Sequence, residues 1–256
     1  MRRALIAFLV LITHALVQNA AVAVPADLIS NGGFESNGGV GQINGSISYA
    51  TDWNMEALTD TFAQGFAFVM DNNADSSGAP SLFSPPNMML WGPGSGVNNG
   101  FTVSPDGGDF LALSGSFSIP KVSQSVSGLQ IGELYELSFY WALAQATDAQ
   151  GDYQAGWNLT FGTDTATSGQ QPVASKGFAN WSYYTATFTA ASTTQTLSFE
   201  AQGTAGLFPF VLLDGVSLKP VAVPEPSTYM LGGAATLILG WISRSKKKRQ
   251  SSNSVA

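Results

Sequence analysis

Long stretches of the chain alternate apolar and polar residues with a period of two. Tyr135, Leu137, Phe139, Trp141 and Leu143 interleave with Glu136, Ser138, Tyr140 and Ala142. Tyr184, Ala186, Phe188 and Ala190 interleave with Tyr183, Thr185, Thr187 and Thr189, and Leu197, Phe199 and Ala201 with Thr196, Ser198 and Glu200. Successive side chains of an extended strand point to opposite faces, so each run predicts a strand with one face buried. Further strands are predicted over 28–34, 66–70, 110–113, 121–126, 153–161 and 211–218. Gly128, Gly132, Gly151, Gly162, Gly177 and Gly203 punctuate the runs as turn residues. No stretch of the body has a convincing amphipathic helical period. Many short strands with frequent turn signals predict an all-β fold, a β-sandwich of the jelly-roll kind. Residues 71–100, rich in Asn, Ser, Gly and Pro, predict a long loop interrupted at 87–91. Loops of that length in compact domains tend to carry function.

The two ends break this pattern. Arg2 and Arg3 precede an uninterrupted apolar run over 4–12, and Ala21-Val22-Ala23 offers small residues where a signal peptidase reads them. This predicts a secretory signal peptide over 1–23, cleaved after Ala23. The rest of a twin-arginine signal is missing, which favours the general secretory route. At the other end, residues 229–242 hold no charge and as a helix would extend about 21 Å at ~1.5 Å per residue. A hydrocarbon core is about 30 Å thick, so this is a short span, helped by Ser227, Thr228, interfacial Trp241 and snorkelling Lys and Arg. The predicted organisation is a signal peptide (1–23), a β-sandwich (24–219), a linker and motif (220–228), a single hydrophobic transmembrane helix (229–243) and a basic cytoplasmic tail (244–256).

Charge sharpens the division. Between Asp27 and Pro220 stand Lys121, Lys176 and Lys219 against 16 of the 17 acidic residues, a formal charge of −13. Such a body repels phosphate backbones, which argues against a nucleic-acid partner. The chain has no Cys, and its one His, His14, lies in the predicted signal peptide. The mature protein would therefore have neither residue. Ser-His-Asp and Cys-His catalysis and imidazole or thiolate metal sites are excluded on that reading.

The motif Val223-Pro224-Glu225-Pro226-Ser227-Thr228, followed by the apolar run and the Arg/Lys cluster, resembles the PEP-CTERM sorting signal of Gram-negative bacteria. The tail after Arg249 is longer than that pattern usually has. The resemblance implies processing by signal peptidase and an exosortase-type enzyme, passing residence in the inner membrane, and delivery to the cell surface or extracellular polysaccharide matrix. The body, in turn, resembles the galactose-binding-like jelly rolls common among carbohydrate-binding modules. Leu28-Ile-Ser-Asn-Gly-Gly-Phe-Glu35 opens it and Leu212-Leu-Asp-Gly-Val-Ser-Leu218 closes it. Pro105-Asp-Gly-Gly-Asp-Phe110, Val122-Ser-Gln-Ser-Val126 and Tyr135-Glu-Leu-Ser-Phe139 fall between. This likeness implies that Glu35 and Asp214, on neighbouring first and last strands, help bind one structural Ca²⁺, an ion that takes 6–8 oxygens in flexible geometry. The competing reading makes both carboxylates turn or cap residues. No other cofactor is implied.

Aromatic faces stack on the C–H faces of sugars while nearby amides and carboxylates fix hydroxyls. Trp91 and Trp157, with Tyr153 or Asn158 nearby, are the candidate sugar contacts, set against the commoner fate of aromatic residues as core. No catalytic residue is assigned. The expected role is non-catalytic association with polysaccharide. Two alternatives stay open: a glycoside hydrolase using paired carboxylates, such as Asp106 with Asp109 or Asp148 with Asp152, and a structural matrix protein without a ligand.

Overall fold

A computed structural model describes residues 25–43, 49–58, 65–72, 79–80 and 87–221. The predicted signal peptide with Ala21 and Ala23, the 223–228 motif, the 229–243 helix and the basic tail lie outside the described residues. Among the described residues no helix is long and apolar enough to cross a membrane.

The chain forms strands β1 (Gly41–Gln42), β2 (Asn54–Ala57), β3 (Ala67–Met70), β4 (Ala79–Pro80), β5 (Asn87–Met88), β6 (Phe110–Ser114) and β7 (Pro120–Ser127). It continues through β8 (Leu134–Gln145), β9 (Tyr153–Phe161), β10 (Asp164–Thr167), β11 (Gln171–Val173), β12 (Ala179–Thr189), β13 (Thr194–Gly203) and β14 (Pro209–Pro220). One sheet has the order β1-β3-β6-β14-β8-β12, the other β10-β9-β13-β7-β2 with β11 also on β9, and β4 and β5 form a separate ribbon. Every pairing is antiparallel. The chain passes between the two large sheets from β7 to β8 to β9, and again from β12 to β13 to β14. Such crossing is the mark of a jelly-roll-like sandwich rather than two stacked meanders.

The apolar phases of both sheets meet in the main core. Phe139 and Trp157 both pack edge-on against Phe199, at 5.1 and 5.8 Å between ring centroids. Each fully buried ring or aliphatic side chain of this kind contributes roughly 1.5–3 kcal/mol. Burial along the strands shows where a second cover lies. In β8 the first residues alternate exposed and buried, whereas the last five are all buried; β14 runs the other way, buried first and alternating later. β3 and β6 are buried on both faces throughout. A strand loses its alternation only when both faces are covered. The cover is a second apolar cluster on the outer face of the six-stranded sheet, in which Met88 and Leu90 close over Phe68, Phe110, Ala142 and Phe210.

The strand predicted over 28–34 is instead an irregular segment. Asn31 and Phe34 take left-handed φ values of 51° and 58°, which end any extended run. The Asn31 side chain organises the turn. Its Oδ1 accepts from the Ser36 N–H at 2.9 Å, and its Nδ2 donates to the Ser36 and Thr51 carbonyls at 2.8 and 2.9 Å. The segment still reaches the last strand, through Leu28 N–H to the Leu218 carbonyl at 2.9 Å and Val216 N–H to the Gly32 carbonyl at 3.0 Å. The opening and closing motifs are thus neighbours, without forming a strand pair.

Candidate functional site

The outer face of the six-stranded sheet has two halves. On one, residues 87–104 lie across the sheet and are fastened at several points. Trp91 N–H donates to the Gln145 carbonyl at 2.9 Å and Thr147 N–H to the Met89 carbonyl at 3.0 Å. Trp181 Nε1 donates to the Thr102 carbonyl at 3.1 Å, and Thr102 Oγ1 to Asn180 Oδ1 at 2.6 Å.

Further along the same strands the polar phase opens to solvent toward β12, and the register lines it up in rows. Tyr183 of β12 stands opposite Tyr140 of β8, which stands opposite Asp214 of β14; the next rows are Thr185–Ser138–Ser217 and Thr187–Glu136–Lys219. The Tyr140 and Tyr183 rings are 5.0 Å apart at centroid with planes inclined by 51°. Tyr183 is 59% exposed, high for a ring on a sheet. Beyond Tyr140 comes Gly215, in left-handed conformation at φ 57°. A Cβ there would lie 3.0 Å from Tyr140 Cδ2 and 3.2 Å from Asp106 Cγ. The missing side chain therefore lets the exposed Asp106 carboxylate approach the Tyr140 ring. Two aromatic rings, an adjacent carboxylate and a field of Ser and Thr hydroxyls have the chemistry of a carbohydrate platform: flat apolar faces for C–H groups and oxygens for hydroxyls.

Asp214 is wholly buried at the boundary between the halves. Ser104 Oγ donates a short hydrogen bond to its Oδ2, and Gly215 N–H donates to its Oδ1 at 2.8 Å. Burial is the largest effect on this carboxyl and pushes its pKa up to about 8; the two hydrogen bonds pull it down, and the Asp106 and Glu35 charges push it up. A Cβ on Gly33 would lie 2.7 Å from Asp106 Oδ2 and 3.9 Å from Asp214 Oδ1, so Gly33 leaves room between two carboxylates. Glu35 is engaged by the neighbouring 108–109 turn. Its Oε1 accepts the Asp109 N–H at 2.8 Å, and its carboxylate fills the space a side chain on Gly108 would need. The donor chemistry, oxygen throughout, suits a hard cation. Among the described residues no three acidic side chains converge as a ready-made ligand set.

The four sugar-contact candidates scatter. Trp157 and Tyr153 are 0% and 3% exposed and point into the core. Neither ring has a face for a sugar, so the expectation does not hold for this pair. The reason lies in β9 itself, where both share the inward phase with Ala155, Leu159 and Phe161. Burial also pushes the Tyr153 hydroxyl well above its usual range, and that hydroxyl donates to the Gly177 carbonyl at 3.2 Å. Asn158, on the outward phase, accepts from Gln202 Nε2 at 2.8 Å. Trp91 is partly exposed at the loop end, its Nε1 donating to the Ala149 carbonyl at 2.8 Å and the Lys176 ammonium 4.6 Å from its ring centroid. A cation therefore already covers one Trp91 face. Of the candidate acid pairs, Asp109 Oδ2 accepts from Asn37 Nδ2 at 2.8 Å and Asp152 Oδ1 from Ser175 N–H at 2.9 Å, bonds that each tie two separate loops together. Tyr140 and Tyr183 are the residues the sequence reasoning missed. Their signal was a tyrosine on the polar phase of each of two strands.

No family model matches the chain. Halomucin of Haloquadratum walsbyi is 28% identical over 243 residues, covering 91% of this chain and 2% of halomucin, so the chain spans a very small part of that relative. Among solved structures, TmCBM61 in complex with β-1,4-galactotriose is similar with a TM-score of 0.41 and 14% identity, over 77% of this chain and 99% of that one. The CBM22-1 xylan-binding domain of Paenibacillus barcinonensis Xyn10C gives a TM-score of 0.38 and 13% identity, over 80% and 100%. The K1 cleaved adhesin domain of Lys-gingipain from Porphyromonas gingivalis gives 0.42 and 9%, over 74% and 96%.

Proposed function

We propose that this chain is an exported, non-catalytic module that holds polysaccharide on the Tyr140–Tyr183 face. The observation that carries this reading is the aromatic pair on an otherwise polar, solvent-facing sheet surface, with the Asp106 carboxylate brought beside it at Gly215. Rings exposed on a polar face gain little for folding, and their chemistry fits stacking on sugars. Binding of the intact protein to an array of soluble polysaccharides tests the reading. Silence on the array together with release of reducing sugar would identify a hydrolase, and silence in both assays a structural matrix protein.

Delivery belongs to the same proposal. The N-terminal segment would be removed by signal peptidase after Ala23, and the Val223–Thr228 motif, resembling PEP-CTERM, would direct exosortase-type processing toward the cell surface or matrix. Mass spectrometry of both termini of the natural protein, with its cell fraction recorded, checks this. An intact C-terminus in the inner membrane would overturn the processing step.

The third part is one structural Ca²⁺ near Glu35 and Asp214. The buried Asp214 carboxyl with the neighbouring Asp106 and Glu35 charges supports it, because a cation would offset the repulsion that burial concentrates there. Asp214 and Asp106 would hold the ion, with Glu35 reorienting to join them.

A further inference from the structure

The six-stranded sheet ends on β12, which among the described strands pairs only with β8. Antiparallel pairing engages the backbone groups on one side of a strand, so about half of those in β12 point away from the sheet. Among the described residues the side-chain bonds at its backbone cluster at the start, where Trp181 N–H donates to Asn180 Oδ1 at 2.8 Å and Ser182 Oγ to the Asn180 carbonyl at 3.5 Å. Residues 183–189 are the open part.

Sheet edges are ordinarily defended by charge, proline, bulges or shortness. β12 is 11 residues long, and its register shift lies between Ala179 and Ser182, leaving the remainder regular. From Gly177 to Phe199 the sequence contains neither a charged residue nor a proline. The composition of the strand, with Tyr183, Tyr184, Phe188 and three threonines, favours strand pairing. In a body of net charge −13, a second copy approaching along this strand meets no like charge on the strand itself.

We propose that β12 is a self-association edge, on which two copies of this chain pair β12 to β12 in antiparallel fashion. A second copy fits better than an unrelated strand because the uncharged strand is its own match. Self-pairing sets the Tyr183, Thr185, Thr187 and Thr189 row against the same row, and Thr–Thr and aromatic cross-strand pairs are favourable. The two-fold axis that makes β12 continue the sheet runs normal to it and keeps both outer faces on one side. The Tyr140–Tyr183 pairs of the two copies then share a single face. A polymer crossing the edge would meet both, and its second contact would be intramolecular. The pairing does not depend on the carbohydrate reading; only this consequence does.

The experiment is the mass of the full chain in solution by sedimentation, without glycan. A dimer is expected, with Thr185→Lys and Thr187→Lys each giving a monomer, because pairing that sets Thr185 opposite the other copy's Thr187 brings the two introduced lysines to one diagonal step apart across the axis. Both side chains are exposed, and circular dichroism checks that the fold is kept. The chain has no Cys, so any bridge that a short thiol-reactive cross-linker forms in Thr185→Cys is intermolecular. Cross-linking is expected there and not for Ser125→Cys on the opposite sheet. A monomeric wild-type protein overturns the proposal, as does a dimer that survives both lysines while Thr185→Cys stays uncross-linked. A dimer silent on the polysaccharide array leaves the edge standing and overturns the carbohydrate reading; a glycan-binding monomer does the reverse.

Discussion

Tyr183 faces Tyr140 across the β8–β12 ladder with 5.0 Å between ring centroids, and more than half of the Tyr183 side chain is in solvent. The pair contributes little to the core, yet it presents the aromatic surface of the open half-sheet. Tyr183→Ala is expected to weaken polysaccharide binding about tenfold, equivalent to about 1.4 kcal/mol. Its melting temperature should barely move, because exposed substitutions stay within about 0.5 kcal/mol. Tyr183→Phe keeps the ring and should keep most of the affinity. Calorimetric titration of both variants checks this, and unchanged affinity in Tyr183→Ala would remove the face as the platform.

Trp157 behaves oppositely. It is fully buried against Phe199, and its Nε1 has no hydrogen-bond partner among the described residues. Trp157→Ala leaves a large cavity and should cost about 3–5 kcal/mol of stability. Glycan affinity per folded molecule should stay near wild type. Denaturant unfolding measured alongside binding separates the two effects.

The contrast between these rings shows what the sequence could and could not reveal. Period-two alternation made β7, β8, β9, β12 and β13 legible, because a half-buried strand writes its burial into every second residue. The same rule, applied within β9, sends Tyr153 and Trp157 inward with Leu159 and Phe161. Their placement could have been read, and proximity to polar residues in sequence was the weaker guide. The 28–34 segment was illegible because its conformation depends on Asn31 side-chain bonds to Ser36 and to distant Thr51. No local pattern records those. The meeting of Asp106 with Tyr140 and Asp214 was hidden for the same reason. It joins positions more than 30 and more than 100 residues apart through the β8–β14 register and the absence of a side chain at Gly215.

Gly32 tests how tightly the opening segment is held to the last strand. A Cβ on it would fall 1.9 Å from the Val216 carbonyl oxygen, and Val216 N–H is itself bonded to the Gly32 carbonyl at 3.0 Å. Backbone on both sides leaves no flexible side chain to give way. Gly32→Ala should therefore destabilise by about 2–4 kcal/mol, the upper part of the range for single substitutions. The control is Gly39→Ala, with nothing among the described residues within 4 Å of the added atom. Gly39 is in left-handed conformation at φ 104°, so its smaller cost reflects backbone strain alone. Equal losses at the two positions would mean that the 28–34 segment does not lie where this contact places it.

Asp214 gives a pH signature whose sign is fixed by its burial. Its pKa rises from 3.8 when solvated to about 8 in the fold, with desolvation the largest cause. Between those values the folded chain holds a proton that the unfolded chain has released. Its contribution to stability is therefore full below about pH 4, declines as pH rises toward 8, and is absent above. Asp214→Asn keeps a neutral polar group beside Ser104 and Gly215 and should flatten the decline, which thermal melts across that window would show. Calcium enters with the opposite dependence, because a cation needs the ionised carboxylate and must displace the proton. Adding Ca²⁺ to metal-stripped protein should raise the melting temperature more at pH 8 than at pH 5. The Asn variant should lose that response at both values. A stripped wild-type protein that melts identically with and without Ca²⁺ at pH 8 would leave Asp214 as a buried acid held by Ser104, with no ion to account for it.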